Sequence, residues 1–161
     1  ALPSDKKFVV LTQTTLGVDD TAGVLSALRE RFPALELPPT DDICYATQNR
    51  QDAVKAMRER GLDLLLVVGS KNSSNAARLV EVGLQGGVRG FLIDRADEID
   101  PSWIASARRV GVTAGASTPE DVVLSVLGRL KALGAKGVEV CTTVEESTVF
   151  QLPQILRNAM A

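Results

Sequence analysis

Histidine is absent from the 161 residues. That absence removes serine-histidine triads, histidine-ligated zinc and imidazole acid-base chemistry from anything this chain does by itself. Aromatic residues are scarce as well, at 4%, which leaves few platforms for stacking bases. Neither sign of charge dominates: 18 basic residues stand against 20 acidic ones, a net charge of −2. A broad electrostatic grip on nucleic acid is therefore not expected. There are two cysteines, Cys44 and Cys141, too few for a disulfide scaffold and suited to a reducing cytoplasm. No apolar run approaches the roughly 20 residues that cross a bilayer, so no membrane partner is expected. The sequence opens on Ala1 with no signal pattern after it, and it reads as a cut piece or a processed product.

What is present is ordinary for one globular unit: 45% hydrophobic and 24% charged residues. Apolar runs of strand length occur at Phe8–Leu11, Leu64–Val68, Gly90–Ile93 and Val110–Thr113, and each has the composition of a strand buried on both faces. Helical periodicities lie between and after them: Val24, Leu25, Leu28 and Phe32; Val54 and Met57; Leu79, Val80 and Leu84; and Val122, Val123, Val126, Leu127 and Leu130. The alternation predicts an α/β fold, a parallel sheet flanked by helices on both faces. Leu37-Pro38-Pro39-Thr40 reads as a stiff turn, and Gly134 and Gly137 punctuate the last helix. Beyond them, Val138–Cys141 is expected as an edge strand and Val149–Leu152 as a C-terminal tail.

In a parallel sheet, ligands gather beyond the carboxyl ends of the strands, where helix N-termini aim free amides into the crevice. Three polar loops fall at such ends. Thr12-Gln13-Thr14-Thr15 follows the first run, with Asp19 and Asp20 as expected caps of the next helix. Gly69-Ser70-Lys71-Asn72-Ser73-Ser74-Asn75 follows the second, and Gly115-Ala116-Ser117-Thr118-Pro119-Glu120 the fourth. In the last, Thr118 is expected to cap, Pro119 to occupy the first helical position and Asp121 to complete a box-like pattern. Together they offer hydroxyls, carboxamides and amides to phosphate oxygens, and each loop can equally be a set of helix caps. No Walker lysine pattern or dinucleotide glycine spacing occurs. Asp41-Asp42 suits a turn better than a metal site. Lys71 and Arg50 are either solvated or placed to add positive charge near a phosphate. Cys44 stands at the entry to a helix, either as an inert buried thiol or as a thiolate favoured by the helix dipole. Cys141, among valines, reads as structural.

The strings Thr12-Gln13-Thr14-Thr15-Leu16, Asp41-Asp42-Ile43-Cys44-Tyr45-Ala46-Thr47, Gly69-Ser70-Lys71-Asn72-Ser73-Ser74-Asn75 and Gly111-Val112-Thr113-Ala114-Gly115-Ala116-Ser117 resemble, in this order, motifs of the LytB family. These are the hydroxymethylbutenyl diphosphate reductases that finish the non-mevalonate isoprenoid pathway. The resemblance runs from about Phe8 to Leu152. It implies three α/β modules around a 4Fe-4S cluster, each supplying one cysteine, with Cys44 as the last ligand and one iron left open to the substrate's hydroxyl oxygen. It further implies that Ser73, Ser74, Asn75 and Ser117 bind the diphosphate. Thr14 and Thr15 then lie at the substrate's hydroxyl end, with Thr14 in the catalytic role.

On the same resemblance, residues 1–40 close the family's middle module and 41–161 form the last module and tail. The other two cluster cysteines, the substrate-binding histidines and the proton-relaying glutamate belong to an N-terminal half that this sequence does not contain. An intact cluster is therefore not expected in this chain alone. The implied partners are an allylic diphosphate, the N-terminal half, and ferredoxin or flavodoxin as electron donor. The implied location is the cytoplasm, or the plastid stroma in a eukaryote. A competing expectation is a stand-alone module that binds phosphorylated ligands or a protein without redox activity.

Overall fold

A computed structural model describes residues 7–37 and 44–144. The expected turn at Pro38–Thr40, the Asp41-Asp42 pair, the tail at Val149–Leu152 and the residue 40/41 module boundary all lie outside the described residues. The sheet has three parallel strands, β1 (Leu64–Val68), β2 (Arg89–Ile93) and β3 (Val110–Ala114), in the order β2-β1-β3. Around it stand α1 (Val18–Arg31), α2 (Tyr45–Glu59), α3 (Ser74–Gln85), the short α4 (Pro101–Ala105) and α5 (Glu120–Ala132). A parallel α/β sheet flanked by helices is thus what forms.

The central strand explains the arrangement. Leu64, Leu65, Leu66, Val67 and Val68 have no exposed surface, and alternate residues serve opposite faces. Leu65 and Val67 pack with Val54 of α2 and with Ala76, Leu79 and Val82 of α3. Leu64, Leu66 and Val68 pack with Ile93, Ile99 and with Val126 and Leu130 of α5. Complete burial of side chains this size stabilises by about 1.5–3 kcal/mol each, so β1 anchors both layers. Full burial on both faces holds for β1 alone. Among the described residues β2 and β3 are edge strands, each paired only with β1 and therefore partly open.

Two expected strands do not form. Phe8–Leu11 contributes a single parallel bridge, Val9 to Glu36, held by Val10 N–H to the Glu36 carbonyl at 3.1 Å and Glu36 N–H to that of Phe8 at 2.9 Å. Val9 and Leu11 are 63% and 81% exposed. Its apolar composition needs a sheet on either side, and none of the described residues supplies one. Likewise α1 has no buried residue, and Val24 is exposed. The stretch Val138–Cys141 is irregular and Val138 and Val140 are exposed, because β-branched composition makes a strand only where an edge accepts it. The sequence pattern assigns no element to residues 95–105, and a 3-10 turn at Ala96–Glu98 and α4 form there, with Trp103 stacked on Phe91 at 3.8 Å.

Strand order fixes where a ligand belongs. The chain leaves β1 through α3 on one face to reach β2, then crosses back through α4 and past β1 to β3, which it leaves through α5 on the other face. Adjacent strands whose outgoing helices diverge create a crevice at their carboxyl ends. That point lies between the β1 loop and the β3 loop.

Candidate functional site

The β1 loop enters α3 through a serine cap. Ser73 is the N-cap, its Oγ accepting from Ala76 N–H at 3.3 Å. An accepting hydroxyl still has its own proton to donate, so the capping and ligand readings of Ser73 coexist. The amides of Ser74 and Asn75 lie in the first turn, where a helix has no partner for them. Asn75 Oδ1 is buried without a hydrogen-bond partner among the described residues, an arrangement that costs stability unless something completes it.

The β3 loop folds against this one. Gly115 N–H donates to the Val68 carbonyl at 2.9 Å. A Cβ on Gly115 would sit 3.6 Å from Ala76 Cβ and 3.9 Å from Ser73 Oγ, so the two loops touch. Gly69 is tighter: its Cβ would meet Ala76 Cβ at 3.0 Å and Thr118 Oγ1 at 3.3 Å. Thr118 does not cap α5 as expected. Its hydroxyl donates instead to the Val68 carbonyl at 2.9 Å, closing the end of β1, and Pro119 stands at the cap position. Ser117 is exposed at the tip.

Cys44 caps α2 at the same edge. Arg50 ties that helix to the sheet, donating from Nε to the Ala114 carbonyl at 3.1 Å and from Nη1 to Ala46 at 2.8 Å. The Thr47 hydroxyl, then the Thr47 amide, hold the Cys44 thiol below its ordinary pKa; partial burial opposes them, and the Ala46 amide and Arg50 charge assist. Arg50 thus serves β3 and the thiol. Lys71 pairs with Glu98 at 3.1 Å.

The Thr14-Thr15 turn reaches the site from the N-terminal segment. Leu16 N–H closes on the Gln13 carbonyl at 3.0 Å, and Gln51 Nε2 donates to the Thr15 carbonyl at 3.2 Å. Gln13, Thr15 and Leu16 face Ser74, Ala77, Arg78 and Glu81 across an open groove of about 310 Å³. Thr14 is exposed on the same turn. Asp20 caps as expected, accepting from Gly17 N–H at 2.9 Å. Asp19 instead pairs with Lys55 at 2.7 Å, which lowers its pKa.

Sequence reasoning missed the residues that join these parts: Gln48, Gln51 and Arg78. Each has a partner 30 or more residues away, and no local pattern signals such a pair. The donor chemistry for a cluster is limited. Cys44, with a thiol biased toward thiolate at a helix entrance, fits a single ligand position. Among the described residues no three histidine, cysteine, aspartate or glutamate side chains gather to hold a metal. Cys141 lies two residues beyond Glu139, which pairs with Arg60 near the end of α2, at the opposite end of that helix from Cys44. No complete ligand set therefore forms among the described residues. No helix among the described residues is long and apolar enough to cross a membrane.

Known proteins resemble the chain over most of its length. A protein of Stenotrophomonas maltophilia (strain K279a) named 4-hydroxy-3-methylbut-2-enyl diphosphate reductase is 57% identical over 152 residues, 94% of this chain and 48% of that protein. One of the same name from Xanthomonas campestris pv. campestris (strain B100) is 57% identical over 146 residues, 91% and 46% of the respective chains. The chain spans about half the length of these relatives. The solved E-1-hydroxy-2-methyl-but-2-enyl-4-diphosphate reductase of Plasmodium falciparum superposes with a TM-score of 0.81 at 30% identity, over 99% of this chain and 51% of that one. A second structure, titled as the terminal enzyme of the non-mevalonate pathway, gives 0.54 at 28% identity over 78% and 44%. Since the LytB protein family profile also matches residues 1–131, the chain belongs to that family.

Proposed function

We propose that this chain is the part of a 4-hydroxy-3-methylbut-2-enyl diphosphate reductase that cradles the substrate's diphosphate and supplies one thiolate to a 4Fe-4S cluster. The overall reaction replaces an allylic hydroxyl by hydrogen: two electrons and two protons enter, and water leaves. Isopentenyl and dimethylallyl diphosphates are the products. The observation that carries this reading is the meeting of the Ser73–Asn75 loop, the Gly115–Thr118 loop and the Cys44 end of α2 at one edge of the sheet. Thr15 faces Ser74 across the adjoining groove.

Within it, Ser73 and Ser117 donate hydroxyl protons to the diphosphate, Ser74 and Asn75 add first-turn amides, and the Asn75 carboxamide donates from Nδ2. Neutral donors and a helix N-terminus hold the anion. Thr14 and Thr15 orient the reacting hydroxyl. Cys44 is one cluster ligand, and a bound cluster supplies electrons and Lewis acidity. The remaining ligands and the proton source lie in sequence that the longer relatives have and this chain does not, with ferredoxin or flavodoxin as electron donor.

The test uses the chain joined to its N-terminal half. Asn75→Ala is expected to raise KM or slow turnover by one to two orders of magnitude, about 1.4–3 kcal/mol for a lost charge-assisted bond. Thr14→Val is expected to lower turnover more than it weakens diphosphate binding. Unchanged kinetics in Asn75→Ala, or a diphosphate analogue bound away from these loops, overturns the assignment.

A further inference from the structure

The Thr14-Thr15 turn and the Ser73–Asn75 loop lie on segments far apart in sequence, yet one side chain bridges them. Arg78 sits one helical turn beyond Ser74 on α3. Its Nε donates to Asp20 Oδ2 at 3.1 Å, a second guanidinium nitrogen reaches Asp20 Oδ1, and Nη1 meets Glu81 Oε2 at 2.5 Å. The side chains of Arg78 and Asp20 are only 15% and 21% exposed. Asp20 Oδ2 also accepts from Gly17 N–H at 2.9 Å. A continuous linkage thus runs from the first turn of α3 through Arg78 and Asp20 to the backbone two residues beyond Thr15.

We infer that Arg78 is a positioning residue, which fixes the Thr14-Thr15 turn relative to the Ser73–Asn75 loop so that one substrate spans both. The inference rests on the functional reading above and extends it. Two facts favour positioning over direct binding. One guanidinium faces two carboxylates, so the cluster does not invite an anion. The fork is also committed to a bidentate partner, a geometry that lysine cannot reproduce. The remaining straps from α2 are single bonds between neutral groups, Gln51 to the Thr15 carbonyl at 3.2 Å and Val18 N–H to Gln48 at 3.1 Å, or the more exposed Lys55–Asp19 pair. Arg78–Asp20 is the shielded, charged strap of the set.

In the joined enzyme, Arg78→Met, Arg78→Lys and Asp20→Asn should each lower kcat about tenfold or more, the effect of misplacing a reacting group. Inhibition by inorganic diphosphate, which needs only the β1 and β3 loops, should stay within about twofold of the unaltered enzyme. The Arg78→Met/Asp20→Asn double variant should be no slower than the worse single, because both remove one linkage. Arg60→Met, which breaks the exposed pair with Glu139 at the far end of α2, is the control and should leave kcat unchanged. A second measurement does not depend on turnover: in the 161-residue chain, Arg78→Met should speed hydrogen exchange at Gly17 and Val18 and leave β1 protected. Unchanged kcat, a parallel loss of diphosphate affinity, multiplicative losses in the double variant, or unchanged exchange at Gly17 would each overturn the inference. If the unaltered joined enzyme reduced no allylic diphosphate, the functional reading would fail, and the exchange result would still decide whether the linkage exists.

Discussion

Cys44 and Asn75 show how single side chains carry chemistry through their neighbours. Because the Thr47 hydroxyl is the largest influence lowering the Cys44 pKa, this thiol should be alkylated by iodoacetamide at a pH where an ordinary thiol is still protonated. Thr47→Val removes that donor. The pKa then rises, the thiolate fraction at a fixed pH falls, and the alkylation profile should move to higher pH; an unmoved profile would refute the role given to Thr47. Asn75 makes the opposite point. Its buried Oδ1 has no partner among the described residues, so Asn75→Ala should leave the melting temperature unchanged or raise it, while loss of the Nδ2 donor weakens diphosphate binding. Ser73 was legible in the sequence because a cap is a local signal. Thr118 was misread because a hydroxyl can accept from a helix amide or donate to a carbonyl, and the Val68 carbonyl at the end of β1, which no local pattern marks, is the partner it found.

Elements were legible where the chain itself supplies both sides of the packing. The boundaries of β1, β2 and β3 follow their apolar runs, since α2, α3 and α5 are present to cover them. Phe8–Leu11 has the same composition without the same surroundings. The junction of β1 with α3 is a close element contact at the site, and a prediction belongs there. Gly69→Ala places a methyl 3.0 Å from Ala76 Cβ and 3.3 Å from Thr118 Oγ1, so α3 or the β3 loop must give by a few tenths of an ångström. The expected cost is about 1–3 kcal/mol of stability by overpacking, read as a lower denaturant midpoint. The variant should also weaken diphosphate binding, because the first turn of α3 must shift. Wild-type stability and affinity would contradict this account of the close approach.

At the scale of the molecule, the candidate site was legible to the extent that it is made of loops that carry their own signals. What joins those loops was not, because Arg78 and Asp20 are 58 residues apart and ion-pair partners leave no periodic trace. The same scale decides what the chain can hold. With Cys44 as its single suitable ligand and no three-donor group among the described residues, the isolated chain should stay colourless and substoichiometric in iron after anaerobic reconstitution. In the joined enzyme Cys44→Ser should abolish the cluster absorbance and activity, while Cys141→Ser should keep both. A full four-iron complement on the isolated chain, or equal damage from the two substitutions, would refute the ligand assignment.

The burial of β1 has a consequence during synthesis. Leu64–Val68 is uncharged, contains no proline and leaves the ribosome ahead of both strands that will flank it; its second partner ends at Ala114, 46 residues later. At about 5–20 residues per second the segment waits roughly 2–10 seconds for its full sheet. A bare apolar strand of this kind seeds intermolecular pairing. The charges set close on either side, Asp63 before it and Lys71 after it, are placed where gatekeepers interrupt such stacking, so a nascent chain carrying Asp63→Ala should partition more heavily into aggregates or onto chaperones than one carrying the same change at exposed Asp97.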